Sequence, residues 1–173
     1  FFDNHYLPHH IKILAQVELT SDELRVRIKR YLGIIYTRTS EYDSAKQMLA
    51  EVEKILQNSL VVTQMLSKWK TVSLAMVYHA YADLLQKTGE IDDALAYSRK
   101  ALDLAHTYSH THIEPMIELR LAELLYGADE ADQARSHLWR VIEMCENEIT
   151  EASVLADAQF TLARIYLDNQ DLD

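Results

Sequence analysis

Histidine is the residue type in this sequence with the clearest capacity for chemistry, because imidazole binds metal ions and exchanges protons near neutral pH. The histidines form two groups along the chain: His5, His9 and His10, then His106, His110 and His112. In each group one pair has the i, i+4 spacing that can place two imidazoles on one metal ion. A zinc site needs three or four ligands, and the single cysteine, Cys145, leaves no Cys pair to complete one. We therefore interpret the histidines as solvated side chains and predict no metal site and no cofactor.

The sequence also lacks the short motifs that carry catalysis in other proteins. It has no Gly-Lys-Ser/Thr phosphate loop, no Gly-x-Ser-x-Gly elbow and no HExxH motif. The carboxylate pair Asp92–Asp93 falls in the first turn of a predicted helix, where negative charge complements the helix dipole. Cys145 follows Val141 and Ile142 on an apolar stripe, so we interpret it as a core residue. These observations predict that the chain has no catalytic residues and is not an enzyme.

Composition narrows the class of protein. The 173 residues have the length of one domain, and 49% of them are hydrophobic, which is enough for a packed core. With 17 Lys and Arg against 27 Asp and Glu, the net charge of -10 argues against direct contact with nucleic acid. No apolar run is long enough to span a membrane. We therefore expect a cytoplasmic protein and, because the sequence opens Phe1-Phe2-Asp3, a piece of a longer chain.

The apolar residues follow a helical period almost everywhere. Leu24, Ile28, Leu32 and Ile35 are spaced as the stripe of an amphipathic helix. Similar stripes predict about eight helices with short connections, the first over residues 7–18, and one or two helices between residues 60 and 85. Thr111 and Glu114 are spaced as a capping box that starts a later helix. Since no stretch alternates for long with period 2, the predicted fold class is all-α.

A small residue recurs at one place in successive helical hairpins. The four positions are Gly33, Ala82, Ala122 and Ala163, so the hairpins repeat with a period of roughly 40–50 residues. In the first three hairpins an alanine follows the small residue at one fixed distance: Ala45, Ala94 and Ala134. Small residues at fixed places let two helices approach closely, so a hairpin can repeat with one geometry and stack on the next. We predict close contacts at these positions.

The pattern resembles tetratricopeptide repeats. The second hairpin carries the family's helix–turn–helix signature, with Tyr78, Tyr81, Ala82, Leu85, Gly89, Ile91 and Ala94 in place. The sequence departs from the family in three ways. Its period is about 40 residues, against about 34 residues for the family. The terminal proline of the motif is absent, and the third hairpin has its glycine, Gly127, two residues early.

The resemblance implies an α-α superhelix, a right-handed solenoid of antiparallel helix pairs. It places one domain over residues 1–173, with units near 26–58, 75–108, 115–149 and a truncated 156–173.

The resemblance also implies a function. In such repeats the first helices line a concave groove that holds extended peptides or partner helices. We expect a non-enzymatic protein- or peptide-binding module of a larger regulatory protein. The alternative is the effector-sensing domain of a bacterial signal-responsive transcriptional regulator or signalling protein. Because terminal units of a solenoid otherwise expose the face meant for a neighbour, self-association through uncapped ends is a further expectation.

Transferring the family's groove positions to this sequence selects the candidate ligand-binding residues. They are Arg27, Arg30, Arg38, His79, Gln86, Lys87, Met116, Leu119, Tyr126, Phe160 and Arg164. The cationic residues lie mainly toward one end of the groove and the apolar ones toward the other. Arginine side chains bind carboxylates well, and apolar pockets hold anchor side chains. The selection therefore predicts an acidic ligand with an apolar anchor.

Overall fold

Every secondary-structure element in the described part of the chain is an α-helix. The computed structural model describes residues 22–58, 64–107, 112–147 and 152–168. The helices are α1 Asp22–Arg38, α2 Tyr42–Asn58, α3 Gln64–Thr88, α4 Ile91–Thr107, α5 Glu114–Gly127, α6 Ala131–Asn147 and α7 Ala152–Asp168. The all-α prediction is confirmed. The sequence predicts one or two helices between residues 60 and 85, and the described residues there form one helix, α3. The predicted helix over residues 7–18 lies outside the described residues.

Three successive helix pairs are closed by the same turn. One residue of each turn has a left-handed backbone: Ser40 (φ 63°), Gly89 (φ 85°) and Asp129 (φ 64°). The N–H that follows donates to a carbonyl five residues back, over 2.8–2.9 Å: Glu41 to Tyr36, Glu90 to Leu85, Glu130 to Leu125. This is the bond of a Schellman motif. In the third turn the left-handed residue is Asp129 and not Gly127, which is the last residue of α5. The third turn therefore has the same backbone geometry as the other two, although Gly127 comes two residues early.

The predicted small residues lie where the two helices of a pair meet. A Cβ atom on Gly33 would lie 2.8 Å from Cδ2 of Leu49, so α1 and α2 approach too closely there for a side chain. Ala82 and Ala122 are fully buried. Ala163 is exposed, because no helix follows α7 among the described residues to pack on it. The prediction of a close contact is therefore wrong at this fourth position.

The helix pairs stack as a solenoid. Each first helix touches the next first helix, so α1 contacts α3, α3 contacts α5, and α5 contacts α7. Among the described helices, the second helices α2, α4 and α6 make no contact with one another. Contacts between successive first helices but not between successive second helices indicate that the solenoid curves, with the first helices on its concave side. The chain is therefore an α-α superhelix, with α1, α3, α5 and α7 on its inner face.

One apolar core connects the stacked pairs. Its fully buried members include Leu49 and Leu56 of α2, Ile117 and Leu124 of α5, and Leu138 of α6. Burying a leucine or isoleucine side chain contributes about 1.5–3 kcal/mol, so this core is the main source of stability. Within the described helices, none has both the length and the apolar character needed to cross a membrane.

Candidate ligand groove

A pocket of about 240 Å³ lies between α1, α3 and α5, three helices of the inner face. The residues that line it are Ile34, Thr37, Arg38, Ala80, Asp83, Gln86, Lys87 and Arg120. Three of the predicted groove residues, Arg38, Gln86 and Lys87, therefore share one pocket. Neighbouring first helices approach each other here because Ala80, which is buried at their contact, has only a methyl side chain.

Arg120 forms an ionic network at the wall of this pocket. Its Nε atom lies 2.6 Å from Oδ1 of Asp83, and its Nη1 atom lies 2.6 Å from Oε2 of Glu123. Nη1 also donates a hydrogen bond of 3.3 Å to Oε1 of Gln86. The network joins α3 to α5, and its one guanidinium offsets part of the negative charge of the two carboxylates.

Arg120 is not among the residues selected from the sequence, because it lies two residues before Ala122 and outside the transferred groove register. Its equivalent in the second unit is Ala80. Arg120 could have been found in the sequence by this comparison, because a long cationic side chain stands where the preceding unit has only a methyl group.

Arg38 and Lys87 carry positive charge that the described residues do not neutralise. Both are exposed at the ends of their helices, and neither pairs with a carboxylate in the described part of the chain. Beside them, the half-buried Ile34 contributes apolar surface to the same pocket. This combination of two cations and an aliphatic wall can receive a carboxylate or a phosphate attached to an apolar group.

His79 belongs to α3 and so to the same inner face. Burial lowers the pKa of its imidazole below 6.5, while the nearby carboxylate of Asp83 raises it and the cations of Arg120 and Arg30 lower it further. Its Nδ1 atom is buried without a hydrogen-bond partner in the described part of the chain. His79 is therefore a half-buried polar residue of α3 that does not line the pocket.

The carboxylate of Glu123 is also perturbed by its position on the inner face. Burial raises the pKa of Glu123, and the neighbouring carboxylates of Asp83 and Asp157 raise it further, whereas Arg120 lowers it. The sequence-based division into a cationic end and an apolar end is therefore incomplete. Between the two ends lie several carboxylates that Arg120 compensates only in part.

Arg27 and Arg30 lie outside the pocket, although the sequence predicts that they and Arg38 line the same end of the groove. Neither side chain lines the pocket, although Arg27 is exposed on α1. The guanidinium of Arg30 lies over the ring of its neighbour Tyr31, 4.7 Å from the ring centroid. Of the three predicted arginines of α1, Arg38 alone is placed in the pocket.

At the other end of the groove, the predicted residues divide into exposed and buried ones. Phe160 is 65% exposed, and Met116 is half-buried. The guanidinium of Arg164 lies over the ring of Tyr126, at 5.3 Å from its centroid, and the hydroxyl of Tyr126 bonds to Asp168. That hydrogen bond raises the pKa of Tyr126.

Leu119 is the predicted groove residue that the structure places in the core. Only 7% of it is exposed, and it packs with the main apolar cluster. The adjacent residue, Arg120, reaches the pocket instead. Its selection as a ligand contact is therefore wrong.

Comparisons with known proteins agree with this architecture. No family model matches the chain. A curated relative, tetratricopeptide repeat protein 19, mitochondrial, from Rattus norvegicus, is 24% identical over 146 residues, which are 83% of this chain and 40% of the relative. The crystal structure of BtubC (BKLC) from P. vanneervenii superposes with a TM-score of 0.72 at 16% identity, over 95% of this chain and 64% of that one.

The chain thus spans less than two thirds of the length of either protein. At these identities the likeness supports the helical repeat fold. The sequence-based resemblance to tetratricopeptide repeats is confirmed as a similarity, and the fold is a helical repeat.

Proposed function

We propose that the inner face of this solenoid binds an acidic protein segment or peptide. The observation that carries the proposal is the pocket in which the uncompensated cations of Arg38 and Lys87 flank the aliphatic wall of Ile34. An Asp or Glu side chain, a phosphate or a terminal carboxylate can pair with these cations. Their positive charge is locally unusual in a protein of net charge -10, which otherwise repels acidic ligands.

The exposed aromatic side chain at the far end supports an extended ligand. Phe160 of α7 offers apolar contact area well beyond the pocket, and Met116 of α5 lies between them in the order of the helices. A ligand that binds Arg38 at one end and places an apolar side chain against Phe160 would run along the inner faces of α1, α3, α5 and α7. Aromatic residues commonly provide such anchor contacts.

The biological setting of the binding module follows from the same reasoning. We propose a non-enzymatic role within a larger regulatory protein, supported by the weak similarity to a tetratricopeptide repeat protein more than twice as long as the matched region. A cytoplasmic location, absence of direct nucleic-acid contact and the alternative of a bacterial effector-sensing domain all stay predictions.

Self-association is a second, independent proposal. Leu167 of α7 is 59% exposed, and no helix follows α7 among the described residues to cover it. Such apolar side chains are common at protein contacts.

The groove proposal is tested with a defined set of peptides. Fluorescein-labelled peptides that carry a Glu-Glu pair and a Leu anchor at varied spacing are titrated with the protein, and the tightest binder is kept. We expect Arg38→Glu to weaken that binder at least tenfold, which is about 1.4 kcal/mol. Raising the salt concentration should also weaken binding, because exposed charge pairs are screened over about 8–10 Å.

Arg99→Glu is the matched control. It makes the same charge change at an exposed position of α4, a helix of the outer face. If Arg99→Glu weakens binding as much as Arg38→Glu does, net charge alone explains the effect and the groove assignment is wrong. If no peptide of the set binds the unchanged protein, the acidic ligand class is wrong.

A further inference from the structure

A second cluster of ionisable side chains lies outside the groove, where the end of α4 meets the start of α5 and the middle of α6. Glu114 and Glu118 are one turn apart on α5, and both are buried, Glu118 completely. His106 comes from α4, and His137 and Arg140 come from α6. The proposed peptide groove uses none of these residues.

Contacts among these side chains are short. Oε1 of Glu114 lies 3.0 Å from Nε2 of His106 and 2.8 Å from Nη2 of Arg140. Glu118 is shared between two cationic or polar groups: Oε2 lies 2.5 Å from Nδ1 of His137, and Oε1 lies 3.2 Å from Nη1 of Arg140. His106, which the sequence analysis interprets as a solvated side chain, is therefore bonded to a buried carboxylate. Glu114 is part of this cluster and not of a capping box, since α5 has Ile113 at its N-cap without a side-chain cap bond.

The buried carboxylates of the cluster outnumber its guanidinium cation. Two carboxylates (-2) and one guanidinium (+1) leave a net charge of -1 in a largely buried place. A buried charge without compensation is costly. Oε1 of Glu118 is fully buried, and its ion-pair contact with Nη1 of Arg140 at 3.2 Å lacks hydrogen-bond geometry. A divalent cation in place of the guanidinium would bring the net charge to zero.

The donor atoms suit a transition-metal ion. One atom each from His106, Glu114 and Glu118 lie within 4.8 Å of one another. Ligands of a tetrahedral zinc ion at about 2.0–2.2 Å are separated by about 3.3–3.6 Å, so shifts of about 1 Å would close the site. His137, which contacts the second oxygen of Glu118, is placed like the outer partners that orient metal-bound carboxylates.

Against the sequence-based prediction of no metal site, we propose that His106, Glu114 and Glu118 bind a divalent transition-metal ion, with Zn²⁺ as the probe. The mixed nitrogen and oxygen donors favour this class of ion over Ca²⁺ or Mg²⁺, which take oxygen ligands. The guanidinium of Arg140 and the ion compete for the same two carboxylates. Because the side chain of Arg140 is 48% exposed, it can turn to solvent when the ion binds.

The test is a zinc titration of the chelator-treated 173-residue chain, monitored by calorimetry and by competition with a chromogenic chelator. We expect a high-affinity equivalent of zinc that His106→Ala weakens at least tenfold. His112→Ala, at an exposed position nearby, is the matched control and should leave that equivalent unchanged. Comparing the two variants separates this site from zinc bound by other histidines of the chain.

Arg140→Gln distinguishes a metal site from a structural ion-pair network. If the ion displaces Arg140, removing the guanidinium should tighten zinc binding severalfold. Unchanged or weaker zinc binding by Arg140→Gln overturns the displacement, and an unchanged zinc equivalent in His106→Ala overturns the site. Circular dichroism of both variants confirms that they are folded, which we expect because both side chains are partly exposed.

Discussion

Replacing Gly33 by alanine tests the close approach of α1 and α2. The new Cβ atom would lie 2.8 Å from Cδ2 and 2.9 Å from Cγ of Leu49. Carbon atoms in contact are normally about 3.5–4.0 Å apart, so Leu49 must move by several tenths of an ångström. Leu49 is fully buried and has little free space to enter. Gly33→Ala should therefore strain the contact between α1 and α2.

Two opposing effects determine the magnitude. Alanine is favoured over glycine inside a helix by about 1 kcal/mol, which stabilises the variant. Overpacking a filled core costs about 1–3 kcal/mol. The expected net change is a loss of about 0–2 kcal/mol in the free energy of unfolding. Because the two effects partly cancel, the measurement needs a control that shows the helix effect alone.

Gly127→Ala supplies that control. Gly127 is also helical, at the end of α5, but an added Cβ atom would meet no other atom within 4 Å. We expect Gly127→Ala to leave stability unchanged or to raise it by up to about 1 kcal/mol. The two variants should then differ by about 1–3 kcal/mol.

The difference can be measured by urea unfolding and by thermal melting followed by circular dichroism. At about 2–4 °C per kcal/mol for a chain of this size, the melting temperatures should differ by about 2–12 °C. Equal effects of Gly33→Ala and Gly127→Ala would refute the close approach of α1 and α2.

Two further predictions concern acid stability and assembly. Burial lowers the pKa of His79 in the folded chain. As the pH falls through about 6.5, the imidazole of His79 is therefore protonated in the unfolded chain before it is protonated in the folded chain. The free energy of unfolding should then fall by up to about 1.4 kcal/mol per pH unit. His79→Gln should remove that part of the pH dependence between pH 7.5 and 5.5 in urea unfolding, and an unchanged dependence would contradict the assignment. For self-association, sedimentation at increasing concentration should show oligomers that Leu167→Lys reduces, and a monomer at every concentration would exclude an α7 contact.

Local features of the sequence were sufficient to predict the architecture. The helical period, the small residues and the turn positions act over a few residues or between adjacent helices, so their spacing carries over directly into structure. The left-handed residues Ser40, Gly89 and Asp129 repeat with the same spacing as the small residues, because each follows its own small residue at one fixed distance. Stacking of such pairs follows, because one pair alone leaves an apolar face uncovered.

The groove was predictable only in outline. Arg38, Gln86 and Lys87 share a pocket as the repeat register predicts, whereas Leu119 is buried and Arg120 takes part in the pocket wall. Ala80 of α3 and Arg120 of α5 hold equivalent positions in the repeat, and both line the pocket. Whether a side chain such as Leu119 packs into the core depends on its contacts with neighbouring helices, which local spacing does not contain.

The ionisable cluster depended on tertiary structure altogether. His106, Glu114, Glu118 and Arg140 belong to three helices, and the contact between His106 and Arg140 spans 34 residues. From the sequence, Glu114 is interpreted as part of a capping box and His106 as a solvated side chain. Both interpretations use only neighbouring residues in the sequence. Folding buries Glu118 among side chains that are distant in the sequence. An unpaired charge costs much free energy only when it is removed from water, so the charges around Glu118 matter for stability only in the folded chain.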